Sequence, residues 1–388
     1  MKRLIDNLEV SMKIYLDNAA TTPILPEVTQ IMCTQMQAVF GNPSSTHSFG
    51  RKAKTKVETA RKNIASYLNV TASEIVFTAG GSEADNLILR NAVSHLGVKN
   101  ILTSQLEHHA VLYTIEALAK EYDLGIHYVA LQEDGQVDYD DLERLLTQVQ
   151  GKTLVSLMMV NNEIGNLLDV QKVSDLCQEH QALFHSDTVQ GVAHFKIDLQ
   201  KTPIDFITAS AHKFHGPKGV GFAYFKKGTP INPLLIGGEQ ERGARAGTEN
   251  IHSIIGMEKA MQLACDHLEA DKAYIQQLKS YFIAKLKENF PSIQFNGASE
   301  DKDKSSYIIL SVRFPKEIPM LLFTLDLKGI AVSGGSACQS GSNQGSHVLQ
   351  ALLNNDEVRK SSVRFSFSKL NTVQEIDYVI AELKQIMQ

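Results

Sequence analysis

Short apolar runs alternate with helical periods through the first two-thirds of this chain. The runs at 74–78, 100–103, 126–131, 153–160, 182–185, 205–209 and 220–225 are nearly continuous in apolar residues, the pattern of strands covered on both faces. Between most of them lie helical patterns, at 83–95, 110–121, 140–149 and 170–180. Strands alternating with helices predict a large α/β domain over 14–257, built on a mostly parallel seven-stranded sheet.

A long helical period at 251–288, closed by Pro291, leads into strand-like 307–314, helical 321–328, strand-like 363–368 and a last helix at 372–387. With residues 1–13, the stretch 258–388 is expected to form a smaller α+β domain. One loop in it stands out, because 333–346 is rich in Gly and Ser and contains Cys338.

Composition then narrows the classes of function. The chain is 43% hydrophobic and 21% charged, as ordinary soluble domains are. Lys+Arg 38 against Asp+Glu 43 leaves a net charge of -5, and no dense basic run marks a surface for direct nucleic-acid binding. The longest apolar stretches, such as 154–160, fall far short of the roughly 20 residues that cross a bilayer. The N-terminus is broken by acids and lacks the apolar core of a signal peptide, so a cytoplasmic protein with no membrane partner is expected. Four cysteines, none in a CxxC spacing, argue against a disulfide framework and against a structural zinc site, and no metal is expected.

Ligands of open parallel sheets bind beyond the carboxyl ends of the strands, so the residues after each strand are informative. Ala79-Gly80-Gly81-Ser82-Glu83 comes after the first run, with glycines feeding a helix whose first amides can hold an anion. Asn161-Asn162-Glu163, Ser186-Asp187-Thr188-Val189-Gln190 and Ser210-Ala211-His212-Lys213 come after three others. Singly, each reads as a cap or a turn, and Lys213 as a solvated loop lysine. Together, a phosphate cradle, an amide, a carboxylate and an amine on one sheet edge suit pyridoxal 5'-phosphate, which needs an amine for its aldehyde, an acid for its ring nitrogen and donors for its phosphate. No GK[ST] succeeds the glycines and no GxGxxG occurs, which removes the P-loop and dinucleotide readings.

Longer stretches carry a resemblance. Tyr15-Leu16-Asp17-Asn18-Ala19-Ala20-Thr21-Thr22-Pro23, Phe40-Gly41-Asn42-Pro43-Ser44-Ser45, Glu107-His108, Val160-Asn161-Asn162-Glu163-Ile164-Gly165, His212-Lys213, Arg242-Gly243 with Gly247-Thr248, Ser336-Ala337-Cys338 and Val363-Arg364-Phe365-Ser366 succeed one another in one family's order. On these residues the chain resembles the cysteine desulfurases, fold-type I pyridoxal-phosphate enzymes of the class V aminotransferase superfamily, in the group that serves iron-sulfur and thio-cofactor synthesis. The resemblance implies that Lys213 holds the cofactor as an imine, that Asp187 partners the ring nitrogen and that His108 stacks on the ring. It further implies that Gln190 and Asn162 bond the phenolate oxygen, with Asn162 also near the substrate. Gly81, Ser82, Ser210 and His212 would hold the phosphate, Thr248 would reach the phosphate of a second subunit in a homodimer, and Arg364 would bind the substrate carboxylate.

The implied reaction converts L-cysteine to L-alanine and leaves the sulfur as a persulfide on Cys338. Its Gly- and Ser-rich surroundings offer little to pack, which suits a thiol that takes sulfur from one molecule and hands it to another. Cys33, Cys177 and Cys265 lie instead in helical apolar patterns. The rivals are a selenocysteine lyase or another class V aminotransferase and, from a different class, a sulfur-relay scaffold without turnover. Lys213, Asp187 and Cys338 together speak against the scaffold. The chain stops soon after its last helical pattern, where scaffold-docking members often continue, so a tRNA-thiolation sulfurtransferase is expected as acceptor at least as readily as an iron-sulfur scaffold.

Overall fold

The computed structural model describes residues 12–334 and 345–387. The chain begins with β1 (Ile14–Tyr15), α1 (Pro26–Ala38) and α2 (Ser48–Tyr67). Strands and helices then alternate as β2 (Ile75–Thr78), α3 (Gly81–Ser94), β3 (Asn100–Thr103), α4 (His109–Glu121), β4 (Gly125–Tyr128), α5 (Tyr139–Gln148), β5 (Thr153–Ser156), α6 (Val170–Glu179), β6 (Leu183–Asp187), β7 (Phe206–Ser210) and β8 (Gly221–Phe225). Next come α7 (Ile251–Asp266), α8 (Leu268–Asn289), β9 (Gln294–Phe295), β10 (Ile309–Arg313), α9 (Leu321–Leu327), β11 (Ile330–Ala331), α10 (His347–Leu352), α11 (Asn355–Val358), β12 (Ser362–Ser366) and α12 (Val373–Met387).

The larger unit comprises Thr22–Asn161 and Leu167–Leu268. Its seven strands run in the order β2-β8-β7-β6-β5-β3-β4. All neighbours are parallel except β8, which is antiparallel to both β2 and β7. Because β8 alone is reversed, β2, β3, β5, β6 and β7 all end on the same edge of the sheet. The central strands β5, β6 and β7 are buried almost throughout, as their apolar composition requires. One apolar core joins Val155, Phe184, Ile207 and Phe222 to α2 and α7, and a second joins Ile101, Leu154 and Phe206 to α3 and α4.

The smaller unit takes the residues up to Thr21, Asn162–Asn166 and those from Glu269 on. Its antiparallel sheet has the order β12-β10-β9, and β1 pairs in parallel with β11. Phe282 of α8 packs edge-on against Phe365 at 4.9 Å and Phe367 at 6.0 Å.

The division differs from the sequence expectation at both ends. Residues 14–21 join the smaller unit, because β1 hydrogen bonds to β11, and 258–268 join the larger one, because α7 packs on α1 and α2. For the same reason the single helix expected at 251–288 is two, α7 and α8, separated at His267, whose ψ of 9° is not helical. The alternation of strands and helices gives no range for α1 or α2, although Cys33 of α1 stands in a helical apolar pattern; α1 fully buries only Val28. Among the described residues no helix is long and apolar enough to cross a membrane.

Lys279 on α8 is fully buried, and its Nζ donates to Ser305 Oγ at 2.9 Å and to Ser306 O at 2.8 Å. Desolvation pulls its ammonium down to about 7. An unfolded lysine keeps its proton to about 10.4, so between those values the unfolded chain binds more protons and stability rises with pH. The urea midpoint is therefore expected to climb from pH 7 to pH 10, and Lys279→Met to flatten that climb.

Candidate active site

The site builds from the carboxyl edge of the larger unit's sheet. After β2 the chain turns through Gly80, with φ 155° and ψ -174°, a conformation open essentially only to glycine. Space enforces the same choice: a Cβ on Gly221 of β8 would lie 2.8 Å from Gly80 Cα, and one on Gly81 would lie 2.6 Å from Val189 Cγ2. The turn is thus pressed against β8 and against the segment after β6. Ser210 Oγ, at the end of β7, lies 3.4 Å from where a Gly80 Cβ would stand. Helix α3 starts here with no side-chain cap, so the amides of its first turn, Gly81 and Ser82 among them, are presented at a dipole-positive end beside a hydroxyl. Such a cradle fits a phosphate.

Lys213 closes a short 3₁₀ turn, Ala211–Lys213, directly after β7. The turn is clamped from several sides. His212 O accepts from Thr22 N and Thr22 Oγ1, both at 2.9 Å, and Lys213 O pairs with His194 Nε2 at 2.9 Å. His215, held at φ 65°, donates its amide to Thr22 Oγ1 at 2.7 Å. The lysine is half-buried on a fixed backbone, as an amine that must meet a bound aldehyde requires.

Asp187 ends β6 and is 5% exposed. Its Oδ1 accepts from Val189 N at 2.9 Å and from Thr208 Oγ1 at 3.4 Å. Burial first, and the neighbouring Asp85 carboxyl second, push it up to about 6, while His108 and His185 oppose the rise. A cation opposite Asp187 would relieve that cost, which is what a protonated ring nitrogen supplies. His108 caps α4 after β3, its Nδ1 accepting from Ala110 N at 3.1 Å. Gln190 is buried in the turn after Asp187. Burial and the neighbouring Lys213 and Lys218 draw His212 down to about 4, so its imidazole is neutral near pH 7. The donors, the carboxylate and the amine on this edge all fit pyridoxal phosphate.

Asn162 and Arg364 meet in the smaller unit. Arg364, 2% exposed, donates from Nη1 to Asn162 O at 2.7 Å and from Nη2 to Asp17 Oδ1 at 2.9 Å. Its Nε has no hydrogen-bond partner among the described residues. Cys338 lies outside the described residues, but both flanks of its segment are held. Ser333 exchanges backbone hydrogen bonds with Arg364 and donates from Oγ to Asp17 Oδ1 at 2.8 Å. Ser346 caps α10 and donates to the buried Glu163. Of the cysteines described, Cys33 is exposed, and burial raises the thiols of Cys177, far above its ordinary range, and Cys265, to about 11.

The polar stretch 237–248 hides a feature the sequence did not announce. Glu241 is buried and forms a two-pronged pair with the buried Arg61, Oε2 to Nη1 at 2.6 Å and Oε1 to Nη2 at 2.8 Å, while Oε2 also accepts from Phe77 N at 2.8 Å. The Arg61 guanidinium lies 4.4 Å from the centre of the Phe77 ring. Arg245 reaches Glu83 on α3 at 2.9 Å, and Thr248 is exposed. The pairing of Arg61 with Glu241 spans 180 residues and has no local signature. Asp85, Glu107, His185 and Thr208, all buried around Asp187, were also missed. The polar pair His185-Ser186 inside an apolar strand was the available signal.

Known proteins share this arrangement of fold and sequence. Residues 14–379 match the family model of class-V aminotransferases. The cysteine desulfurase IscS of Dictyoglomus turgidum is 39% identical over 378 residues, 97% of this chain and 95% of its own. The solved NifS-like protein of Rickettsia africae superposes with a TM-score of 0.86 at 33% identity, covering 97% of this chain and 99% of its own. SspA, solved in complex with cysteine, gives 0.80 at 30% identity, with 93% and 100% covered.

Breaking the buried pair leaves an uncompensated charge. Glu241→Ala is expected to destabilise the fold by about 3–5 kcal/mol, read from urea unfolding. Arg242→Ala, which removes an exposed pair with Glu58, is expected to change it by less than about 1 kcal/mol.

Proposed function

Because this chain belongs to the class-V aminotransferase family and is a cysteine desulfurase that uses pyridoxal 5'-phosphate, we propose a role for each of its site residues. The bound cofactor supplies an aldehyde that captures amines and a ring that withdraws electrons from the substrate's Cα. The amides of Gly81 and Ser82, with Ser210 Oγ and the neutral His212, hold its phosphate. Asp187 faces the ring nitrogen and keeps it positively charged. Gln190 and Asn162 would hold the ring oxygen, and His108 would stack on the ring.

Lys213 Nζ would hold the cofactor's aldehyde, and as a free amine it would take the substrate's Cα proton. Arg364 binds the substrate carboxylate; its Asp17 pair fixes the guanidinium while Nε keeps a hydrogen to give. The Cys338 thiolate attacks the substrate sulfur. A sulfur–sulfur bond forms and the carbon–sulfur bond breaks, with its electron pair left on the substrate carbon. Protonation of that carbon, and return of a proton from Lys213 to Cα, yield alanine, and Cys338 carries the persulfide.

The observation that carries this reading is the convergence of the α3 cradle, Asp187 and Lys213 on one edge of one sheet. A homodimer is supported by the exposed Thr248 and by large apolar groups left uncovered on the larger unit, Phe40 at 70%, its ring tilted against Phe49 at 5.1 Å, and Ile236 at 91%. The persulfide passes to an acceptor protein, either a tRNA-thiolation sulfurtransferase or an iron-sulfur scaffold, in the cytoplasm.

Lys213→Ala is expected to abolish the visible absorption of the reconstituted protein together with alanine production. In Cys338→Ser the absorption should persist and still respond to cysteine, while mass spectrometry finds no persulfide; a persulfide formed at the normal rate would remove Cys338 from the reaction. Arg364→Gln should raise KM for cysteine by about tenfold or more, the loss of one charge-assisted contact, with a smaller change in kcat.

A further inference from the structure

Around Asp187 the larger unit buries polar groups that the desulfuration itself does not use. Asp85 on α3 and His185 on β6 are 1% and 0% exposed, and His185 Nε2 lies 3.4 Å from Asp85 Oδ1. Nδ1 of the same ring is 2.9 Å from Ser156 Oγ on β5. The Asp85 carboxyl is also hydrogen bonded to Thr208 on β7, and Thr208 Oγ1 donates to Asp187 Oδ1 at 3.4 Å. From the connection between β3 and α4, His108 faces the same region and opposes the rise at Asp187, while burial, with Asp187 and Asp85, pushes the Glu107 carboxyl well above its ordinary range.

The hydrogens can be placed by counting. A hydroxyl has one hydrogen, so Thr208 cannot donate to two carboxylates at once. If it donates to Asp187, it must accept from Asp85, and a carboxyl donates only as the neutral acid. One directed chain then runs Asp85, Thr208, Asp187, and it ends on an ionised carboxylate; His185 lies beside it at 3.4 Å without a hydrogen bond to Asp85.

We propose that Asp85 is a positioning residue which, as the neutral acid wired through Thr208, holds Asp187 ionised and aimed at the cofactor's ring nitrogen. The proposal rests on the reading of Asp187 as that nitrogen's partner. Burial favours the same protonation pattern independently, pushing Asp85 up to about 7 and drawing His185 down to about 4. A neutral Asp85 also removes the carboxylate charge that would otherwise oppose ionisation of Asp187.

The test is the dissociation constant of pyridoxal phosphate for the apo-protein, measured by fluorescence titration from pH 6 to 9, with cooperative melting checked for each variant. Thr208→Val, equal in shape but without the hydroxyl, should weaken binding about tenfold, the scale of one lost hydrogen bond to a charged group, and Thr208→Ser should restore it. Asp85→Asn keeps a donor that cannot titrate. The weakening of the parent above pH 7, as Asp85 loses its proton, should therefore flatten in Asp85→Asn. Parent-like binding by Thr208→Val, or a parent-like pH profile in Asp85→Asn, overturns the proposal. Asp187→Asn separates the two levels. If it binds as the parent does, the reading of Asp187 fails; if it loses binding while the other variants match the parent, only the role of Asp85 does.

Discussion

A carboxylate at the end of a central strand, almost without solvent, is the constraint on which the rest of the structure depends. Asp187 stands where desolvation favours the neutral acid, and the surrounding fold must offset that tendency for the group to serve a cationic ring nitrogen. The amide of Val189 and the hydroxyl of Thr208 are the local compensation. Thr208 stands on β7 and Val189 in the turn directly after β6, so both donors are held beside the sheet.

Sheet order makes this arrangement available. Because β8 alone runs backwards, the ends of β2, β6 and β7 lie on one edge although Thr78 and Ser210 stand 132 positions apart in the chain. Gly80, Gly81 and Gly221 then permit the β2–α3 turn to lie directly against β8 and Val189, closer than any Cβ would allow. The first turn of α3, Asp187 and Lys213 are positioned by packed backbone, and this suits a site that must hold a cofactor in register.

The smaller unit builds its polar framework in a different manner. Arg364 sits on a sheet strand and is fixed by Asp17 and by the carbonyl of Asn162. The two serines that flank the Cys338 segment are tied to this same framework, Ser333 to Arg364 and Asp17, and Ser346 to Glu163. Arg364 and both flanks of the Cys338 segment are therefore tied into the hydrogen bonds of one unit.

Much of this was legible in the chain itself. Apolar runs interleaved with helical periods located all seven strands of the main sheet, and the residues just beyond those strands exposed the amine, the acid and the cradle, because both signals are local: burial on both faces needs continuous apolar sequence, and tight turns need glycine. What the chain could not announce was which polar residues meet. Asp85, His185 and Thr208, like Arg61 and Glu241, come from separate elements and become partners only through strand order and helix packing. The break at His267 and the membership of β1 were likewise settled by which surfaces α7 and β1 cover. Periodicity along a sequence reports whether a position is buried, whereas tertiary structure alone decides what a buried polar group is buried against, and it is the partner that sets its charge.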